Sequence, residues 1–126
     1  MSVIGIGTDI VEINRISSMS EQVLNRLALR VLTDTEYQHY KTLKQPERFL
    51  AKRWAGKEAL SKALGTGIAQ GVSFKHIEIQ SLASGQPSLL LTDKALEVAQ
   101  SLGATKWHIT LSDEVNYATA FVVLSL

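Results

Sequence analysis

An α+β fold in a single domain (residues 1–126), with a mainly antiparallel sheet, is the architecture that this sequence predicts. Two hairpin patterns in the second half of the chain indicate antiparallel strands, and a long helix pattern precedes them. With 126 residues, of which 45% are hydrophobic, the chain is long enough for one core but short for two. The predicted order, β-α-α-α-β-β-α-β-β, is typical of the α+β class.

The first predicted element is a strand over residues 3–12, VIGIGTDIVE. Because side chains alternate across a strand, Asp9 shares one face with Gly5 and Gly7. Glycines at these positions leave room for a ligand or for another backbone. An ionised carboxylate on an apolar strand also needs a partner, so we expect either a cation or a hydrogen-bonding cap beside Asp9.

Three helices are predicted between this strand and the first hairpin. The first runs from residue 15 to about residue 30, where apolar residues recur at helical spacing. A short second helix has Thr33 or Asp34 as its N-cap. The third is the longest: it opens at Pro46, since proline is tolerated in a first turn, and it ends before Gly65.

The longest helix has apolar residues around most of its circumference, so it has no wide face for water. Four of its polar residues are therefore expected to lie in a crevice, namely Lys57, Glu58, Ser61 and Lys62. Glu58 and Lys62 are four residues apart and hence neighbours on one side of the helix. The alternative is an ordinary ion pair between them, which contributes about 0.2–0.5 kcal/mol.

The C-terminal half is predicted to contain two hairpins separated by a helix. The first hairpin pairs residues 76–82 with 87–93 around a turn at Gly85. The helix lies in the stretch DKALEVAQSLGA and is closed by Gly103. The second hairpin pairs residues 107–111 with 117–126 across a loop from 112 to 116.

Composition excludes several classes of protein. The chain has no cysteine, which excludes a disulfide framework and thiolate chemistry and suits a reducing compartment. No apolar run approaches the roughly 20 residues of a membrane span, and no secretory leader pattern is present. We therefore expect a soluble, cytoplasmic protein without a membrane partner.

The net charge of +1 does not indicate bulk attraction to nucleic acid, but the charges are unevenly distributed. Between residues 41 and 62 there are seven basic side chains and two acidic ones. Such a local basic surface suggests an anionic small ligand or an acidic protein partner. A solvated helix face is the alternative reading of the same charges.

The two carboxylates of Asp9 and Glu58 would meet if the long helix packed on the first strand. At about 4 Å their repulsion would be about 4 kcal/mol at an effective dielectric constant near 20, and a divalent cation would turn this cost into binding. Oxygen ligands without cysteine favour Mg²⁺. Lys62 and the following Gly65-Thr66-Gly67 would supply phosphate recognition, although the chain has no Walker loop.

Three stretches carry a family resemblance: GIGTDIVEINRI, FLAKRWAGKEALSKALGTGI and HITLSDEVNYATAFVV. Together they resemble the short bacterial form of the 4′-phosphopantetheinyl transferase superfamily, the holo-[acyl-carrier-protein] synthases. The resemblance implies that family's fold and its reaction in fatty acid biosynthesis. In that reaction 4′-phosphopantetheine passes from coenzyme A to a serine of apo acyl carrier protein, and adenosine 3′,5′-bisphosphate is released. It also implies dependence on Mg²⁺ and a homotrimer with active sites at subunit interfaces.

Carried over position by position, the resemblance implies roles for individual residues. It makes Asp9 and Glu58 the Mg²⁺ ligands, and Glu58 and Lys62 the catalytic residues. The implied coenzyme A-binding residues are Arg53, Ser61, Lys62, Gly65 and His108. The implied carrier-binding residues are Arg15, Met19, Arg26 and Arg30.

Two further positions of the motifs, Trp54 and Asp113, bear on function. Trp54 matches an aromatic residue near the carrier surface, but a role in the core suits it equally well. Asp113 stands where many relatives have histidine in an L-S-H motif, so a histidine base is excluded at this position. The general base stays open between Glu58, acting through a water, and a water held elsewhere.

Two other classes of function remain as alternatives at this stage. A Mg²⁺-dependent nucleotide pyrophosphohydrolase would use the same carboxylates and lysine, with water as nucleophile and no protein partner. A nucleic-acid-binding module would use the basic segment 41–62 and show steep salt dependence, but it would leave Asp9 and Glu58 unexplained.

Overall fold

The computed structural model of the chain describes residues 2–126. Its strands and helices follow the predicted order, apart from one helix that is divided. In chain order they are β1 (Val3–Glu12), α1 (Ile13–Ser17), α2 (Glu21–Val31), α3 (Asp34–Tyr40), α4 (Pro46–Leu64), β2 (Ile77–Ser81), β3 (Pro87–Leu91), α5 (Asp93–Ser101), β4 (Lys106–Asp113) and β5 (Tyr117–Ser125). A 3₁₀ turn, Phe74–His76, precedes β2. In the part of the chain described, no helix is long and apolar enough to cross a membrane.

The strands of residues 2–126 form two antiparallel sheets. One has the order β1-β5-β4, and the hairpin of β2 and β3 is the other. The predicted α+β class with antiparallel pairing is therefore confirmed. Strand β4 extends to Asp113, so the turn before β5 is shorter than the predicted loop from 112 to 116.

The predicted single helix from residue 15 to residue 30 is wrong. The helix is interrupted at residues 18–20, which separate α1 from α2. Ser20 is the N-cap of α2, and its side chain accepts a hydrogen bond from the backbone N–H of Val23 at 3.3 Å. Serine side chains compete for backbone partners in this way, which favours caps over helix interiors. Consequently Arg15 lies on α1, apart from Arg26 and Arg30 on α2.

Helix α4 packs against β1 at very close range. A Cβ atom on Gly7 would lie 1.9 Å from the carbonyl oxygen of Ala59, and one on Gly5 would lie 2.2 Å from that of Ala63. The two glycines therefore admit the backbone of α4. Because Asp9 shares their face of β1, it is placed beside the last turns of α4, where Glu58 and Lys62 lie.

Replacing Gly7 by alanine should lower the stability of the fold, because α4 would have to move away from β1. Overpacking of this kind typically costs about 1–3 kcal/mol. Chemical denaturation followed by circular dichroism would measure the loss. Thr110→Ala, at an exposed position of β4, is the control and should change little. Equal stability of Gly7→Ala and wild type would contradict the close packing.

Candidate active site

Lys62 joins the helix to the strand at the seam between α4 and β1. Its ammonium donates to Asp9 Oδ1 at 2.9 Å and to the carbonyl oxygen of Thr8 at 3.0 Å. The Lys62 side chain is 52% exposed and that of Asp9 is 19% exposed. The long helix thus packs on the first strand, which is the condition for Asp9 and Glu58 to meet, and the side-chain hydrogen bonds described for Lys62 go to β1.

Glu58 is the second carboxylate at this seam. Burial raises the pKa of Glu58, and the negative charge of Asp9 raises it further. The positive charges of Lys62 and Arg30 and a hydrogen bond from Trp54 act in the opposite direction. Asp9 and Glu58 therefore lie close enough for their charges to interact, and positive groups surround them.

The pair of carboxylates fits one kind of metal site. Within residues 2–126 no group of three or more His, Asp or Glu residues could hold a metal ion by itself. A Mg²⁺ ion, however, is commonly held by one or two carboxylates, with waters and substrate phosphates as the other ligands. Asp9 and Glu58 match that pattern because both approach the same place from different elements.

The crevice expected along α4 is only partly present. Lys57 and Ser61 are completely buried, whereas Glu58 is half-buried and Lys62 is exposed. Lys57 forms an ion pair with Glu36 at 2.5 Å. The Ser61 hydroxyl donates to the carbonyl oxygen of Glu58 at 2.7 Å and does not reach the surface. Lys57 and Ser61 thus belong to the core.

The other implied coenzyme-binding residues lie in three different places. Gly65 caps α4 with φ +82°, and its N–H donates to the carbonyl oxygen of Lys62 at 3.0 Å.

The guanidinium of Arg53 stacks on Phe49, 4.5 Å from the ring centre. In the described residues the Arg53 Nε has no hydrogen-bond partner, and Glu36 lies 3.9 Å from it. Arg53 faces a cleft of about 420 Å³ beside β2.

His108 lies on the opposite face of the sheet from α4. It is exposed, pairs across the sheet with Val123, and its Nε2 is 3.2 Å from the Ser125 hydroxyl. Asp9 is instead opposite Ala120, whose side chain is buried. One copy of the chain therefore does not bring His108 to the seam that holds Asp9.

Asp113 has a structural role in this chain. Its carboxylate binds Arg48 at 2.8 Å and Lys52 at 3.2 Å, and so fastens the end of β4 to α4. The hydrogen bond from Arg48 is the main cause of its lowered pKa, and Lys52 adds to the effect. This arrangement agrees with giving Asp113 no catalytic role.

The implied carrier-binding residues lie on the short helices that follow β1. Arg15, Arg26 and Arg30 are exposed, and Met19 is half-buried in the break between α1 and α2. The Arg30 guanidinium lies 5.8 Å from the centre of the Phe74 ring. Two exposed apolar residues of α2, Val23 and Leu29, accompany these charges.

Known proteins of one family match this chain over nearly its whole length. A model of the 4′-phosphopantetheinyl transferase superfamily matches residues 5–122. The holo-[acyl-carrier-protein] synthase of Shewanella frigidimarina (strain NCIMB 400) is 55% identical over 124 residues, 98% of this chain and 98% of the relative.

Solved structures agree with the sequence comparison. The holo-[acyl-carrier-protein] synthase of Neisseria meningitidis has a TM-score of 0.89 and 37% identity, and the match covers 99% of this chain and 100% of that one. A synthase from Bacillus anthracis str. Ames, solved in complex with CoA (3′,5′-ADP), has a TM-score of 0.80 and 38% identity. That match covers 97% of this chain and 96% of the other. The chain belongs to the 4′-phosphopantetheinyl transferase superfamily.

Proposed function

We propose that this protein transfers 4′-phosphopantetheine from coenzyme A to a serine of apo acyl carrier protein. The products are holo acyl carrier protein, used in fatty acid biosynthesis, and adenosine 3′,5′-bisphosphate. The observation that carries the proposal is the meeting of Asp9, Glu58 and Lys62 at the seam of β1 and α4. Membership of the superfamily favours this reaction over pyrophosphate hydrolysis and over nucleic-acid binding.

Asp9 and Glu58 are the residues that would hold Mg²⁺ in this enzyme. When bound, the ion would neutralise negative charge on the pyrophosphate of coenzyme A. The two side chains suit this role because their mutual repulsion, which contributes to the raised pKa of Glu58, is relieved by a cation. This fit of residues to metal supports a requirement for Mg²⁺ as part of the proposal.

The reaction itself is a phosphoryl transfer without a covalent enzyme intermediate. The carrier serine oxygen forms a bond to the β-phosphorus of coenzyme A, and the bond from that phosphorus to the bridging oxygen breaks. The serine proton passes to a base, and adenosine 3′,5′-bisphosphate leaves with the bridging oxygen. Lys62 would stabilise charge on the leaving side, because its exposed ammonium beside Asp9 can donate to a phosphate oxygen. Most of the acceleration would come from positioning and electrostatics.

A direct assay tests the proposed function. The protein is mixed with coenzyme A, Mg²⁺ and an apo acyl carrier protein, and the carrier is weighed by mass spectrometry. A mass gain of one phosphopantetheine group on the carrier serine is expected. Release of adenosine 3′,5′-bisphosphate without carrier, and with no change in carrier mass, would instead support a pyrophosphohydrolase.

A homotrimer with active sites at subunit interfaces forms part of the proposal. It is supported by the face of the sheet opposite α4, where Ile6 and Ile10 are each 61% exposed and Phe121 is 44% exposed. Apolar patches of this kind mark interaction surfaces. The patch adjoins the candidate site, since Ile6, Phe121 and Lys62 line one shallow pocket of about 330 Å³. A second copy on this face would also allow His108 to serve the site of a neighbour.

Ile6→Asp should convert the trimer to monomers while the fold is retained, because a charge would be buried at the contact but not in the monomer. Light scattering coupled to gel filtration would measure the mass of the particle. Val115→Asp is the matched control, since Val115 is 79% exposed but lies in the turn between β4 and β5. A trimer that survives Ile6→Asp, or a wild-type monomer, would contradict the assignment of this face.

Docking of the acidic carrier on Arg15, Met19, Arg26 and Arg30 is likewise proposed. Exposed ion pairs contribute little individually, so these arginines should act mainly by long-range attraction. Replacing Arg15 and Arg26 together by glutamate should raise the carrier KM about tenfold and leave coenzyme A binding unchanged. It should also flatten the dependence of carrier affinity on ionic strength.

Lys94→Glu is the control for this docking experiment, because Lys94 is an exposed residue of α5, away from the helices that carry these arginines. It should leave both KM values unchanged. If the carrier KM holds steady while coenzyme A affinity falls in the Arg15 and Arg26 variant, the arginines serve the coenzyme instead.

A further inference from the structure

Lys57 is a buried charged residue that the proposed reaction does not use. Its side chain is 0% exposed. The ammonium donates to Glu36 Oε1 at 2.5 Å and to the carbonyl oxygens of Val31 at 2.7 Å and Phe74 at 3.2 Å. A lysine ammonium has three N–H donors, so these acceptors satisfy it completely. Lys57 therefore joins the middle of α4 to three other parts of the chain: the end of α2, the start of α3 and the turn before β2.

Glu36 completes the buried pair on the other side. Its carboxylate accepts the backbone N–H of Thr33 at 2.9 Å through Oε1 and that of Ile79 at 2.8 Å through Oε2. The pair thus connects the start of α3 and strand β2 with α4. Removing only one partner would leave the other charge buried without a counter-ion.

The contact with Val31 holds the end of α2. Val31 is the last residue of that helix, and carbonyl groups in a last turn lack partners within the helix. Lys57 supplies one partner from α4. Lys75 supplies others, because its ammonium donates to the carbonyl oxygens of Leu29 and Leu32. Two lysines from outside α2 therefore fix its C-terminal turn.

Arg30 stands at this fixed end of α2. It precedes Val31 in sequence, and its guanidinium lies over the ring of Phe74, whose carbonyl oxygen also binds Lys57. Lys57 thus binds the backbone on both sides of the Arg30–Phe74 contact.

We propose that Lys57 is a positioning residue for the protein substrate: it fixes the C-terminal end of α2 to α4 and thereby holds Arg30 in its place over Phe74. The inference rests on the proposed function, since it takes Arg30 as part of the carrier surface. Lys57 acts through Arg30 and touches neither substrate. Its effect belongs to carrier recognition, because none of its described contacts reaches Asp9 or Lys62.

A double-mutant cycle tests this chain of contacts. Lys57→Met should raise the carrier KM about tenfold, with kcat and the KM for coenzyme A within about twofold of wild type. Arg30→Met should raise the carrier KM to a similar extent. Because Lys57 acts through Arg30, the double variant should be no worse than Arg30→Met alone. Effects that multiply in the double variant would overturn the proposal, as would a rise in the KM for coenzyme A.

A second variant separates positioning from stability. Lys57→Met combined with Glu36→Gln removes both buried charges, so its melting temperature should recover relative to Lys57→Met alone. Its carrier KM should nevertheless stay raised, because methionine cannot bind the carbonyl oxygen of Val31. Recovery of the carrier KM together with stability would show a purely structural role and overturn the proposal.

Two controls separate this inference from the proposed function. Lys52→Met removes a lysine of α4 that contacts Asp113 and not α2, and it should leave the carrier KM unchanged. Calorimetric titration of apo carrier into each variant should follow the same order as the KM values. If the wild-type protein forms no holo carrier, the proposed function fails. If the wild-type protein forms holo carrier but the effects of Lys57→Met and Arg30→Met multiply in the double variant, only the role of Lys57 fails.

Discussion

Asp9→Asn and Glu58→Gln should each lower turnover roughly a hundredfold or more while the fold stays intact. Each substitution keeps the volume of the side chain and removes a charge from the seam of β1 and α4. The two variants should also bind Mg²⁺ more weakly, which isothermal titration in the presence of coenzyme A would show. Turnover of the acyl carrier protein measured by mass spectrometry gives the primary readout.

The stability of these variants should move in the direction opposite to their activity. Burial and Asp9 raise the folded-state pKa of Glu58, so its ionisation destabilises the fold as the pH rises through that pKa. Glu58→Gln should therefore melt at a higher temperature than wild type near pH 7 without Mg²⁺. The difference in melting temperature between Glu58→Gln and wild type should disappear under acidic conditions, because Glu58 is then protonated in both the folded and the unfolded protein.

Asp9→Asn removes both the ion pair with Lys62 and the repulsion with Glu58. Losing the ion pair should cost little stability, because Lys62 is half exposed and exposed ion pairs contribute little. Glu97→Gln, in helix α5 and outside the seam, is the matched control and should change neither turnover nor stability. Wild-type turnover by Asp9→Asn at both limiting and saturating Mg²⁺ would remove Asp9 from the metal site.

Local sequence signals predicted those elements whose ends are fixed by nearby residues. The N-cap at Thr33 and the end of α4 at Gly65 depend on turn and cap chemistry within a few positions. The strand from 3 to 12 follows from alternation and β-branched residues. The break at Ser18–Ser20 was local too, but the apolar spacing across it imitated one continuous helix.

Contacts between distant residues explain what the sequence could not show. Glu36 and Lys57 are 21 positions apart, and nothing near Lys57 distinguishes a core lysine from one in a crevice. The contact between Asp9 and Lys62, 53 positions apart, was not predicted, because Glu58 was the expected neighbour of both residues. Gly5 and Gly7 were the useful signal, since a strand face without side chains indicated that a ligand or another backbone lies there, and the structure shows the backbone of α4.

Lys62→Ala should reduce turnover ten- to a thousandfold while changing stability by less than about 1 kcal/mol. The difference in scale separates two roles for the same side chain. An ion pair with Asp9 at a half-exposed lysine is a weak structural contact. A contact with the phosphate of coenzyme A would instead be strongest when negative charge develops on the leaving group.

Lys52 offers a matched control for this prediction. Like Lys62, it lies on α4 and pairs with an aspartate, Asp113, at 3.2 Å, and its side chain is 32% exposed. Lys52→Ala should therefore cost a similar amount of stability and leave turnover unchanged. Lys62→Arg should recover part of the lost turnover, because it restores charge but not the shape of the ammonium. Near-normal turnover in Lys62→Ala would leave Lys62 only its contacts with Asp9 and Thr8, and stabilisation of the leaving group would have to come from another residue.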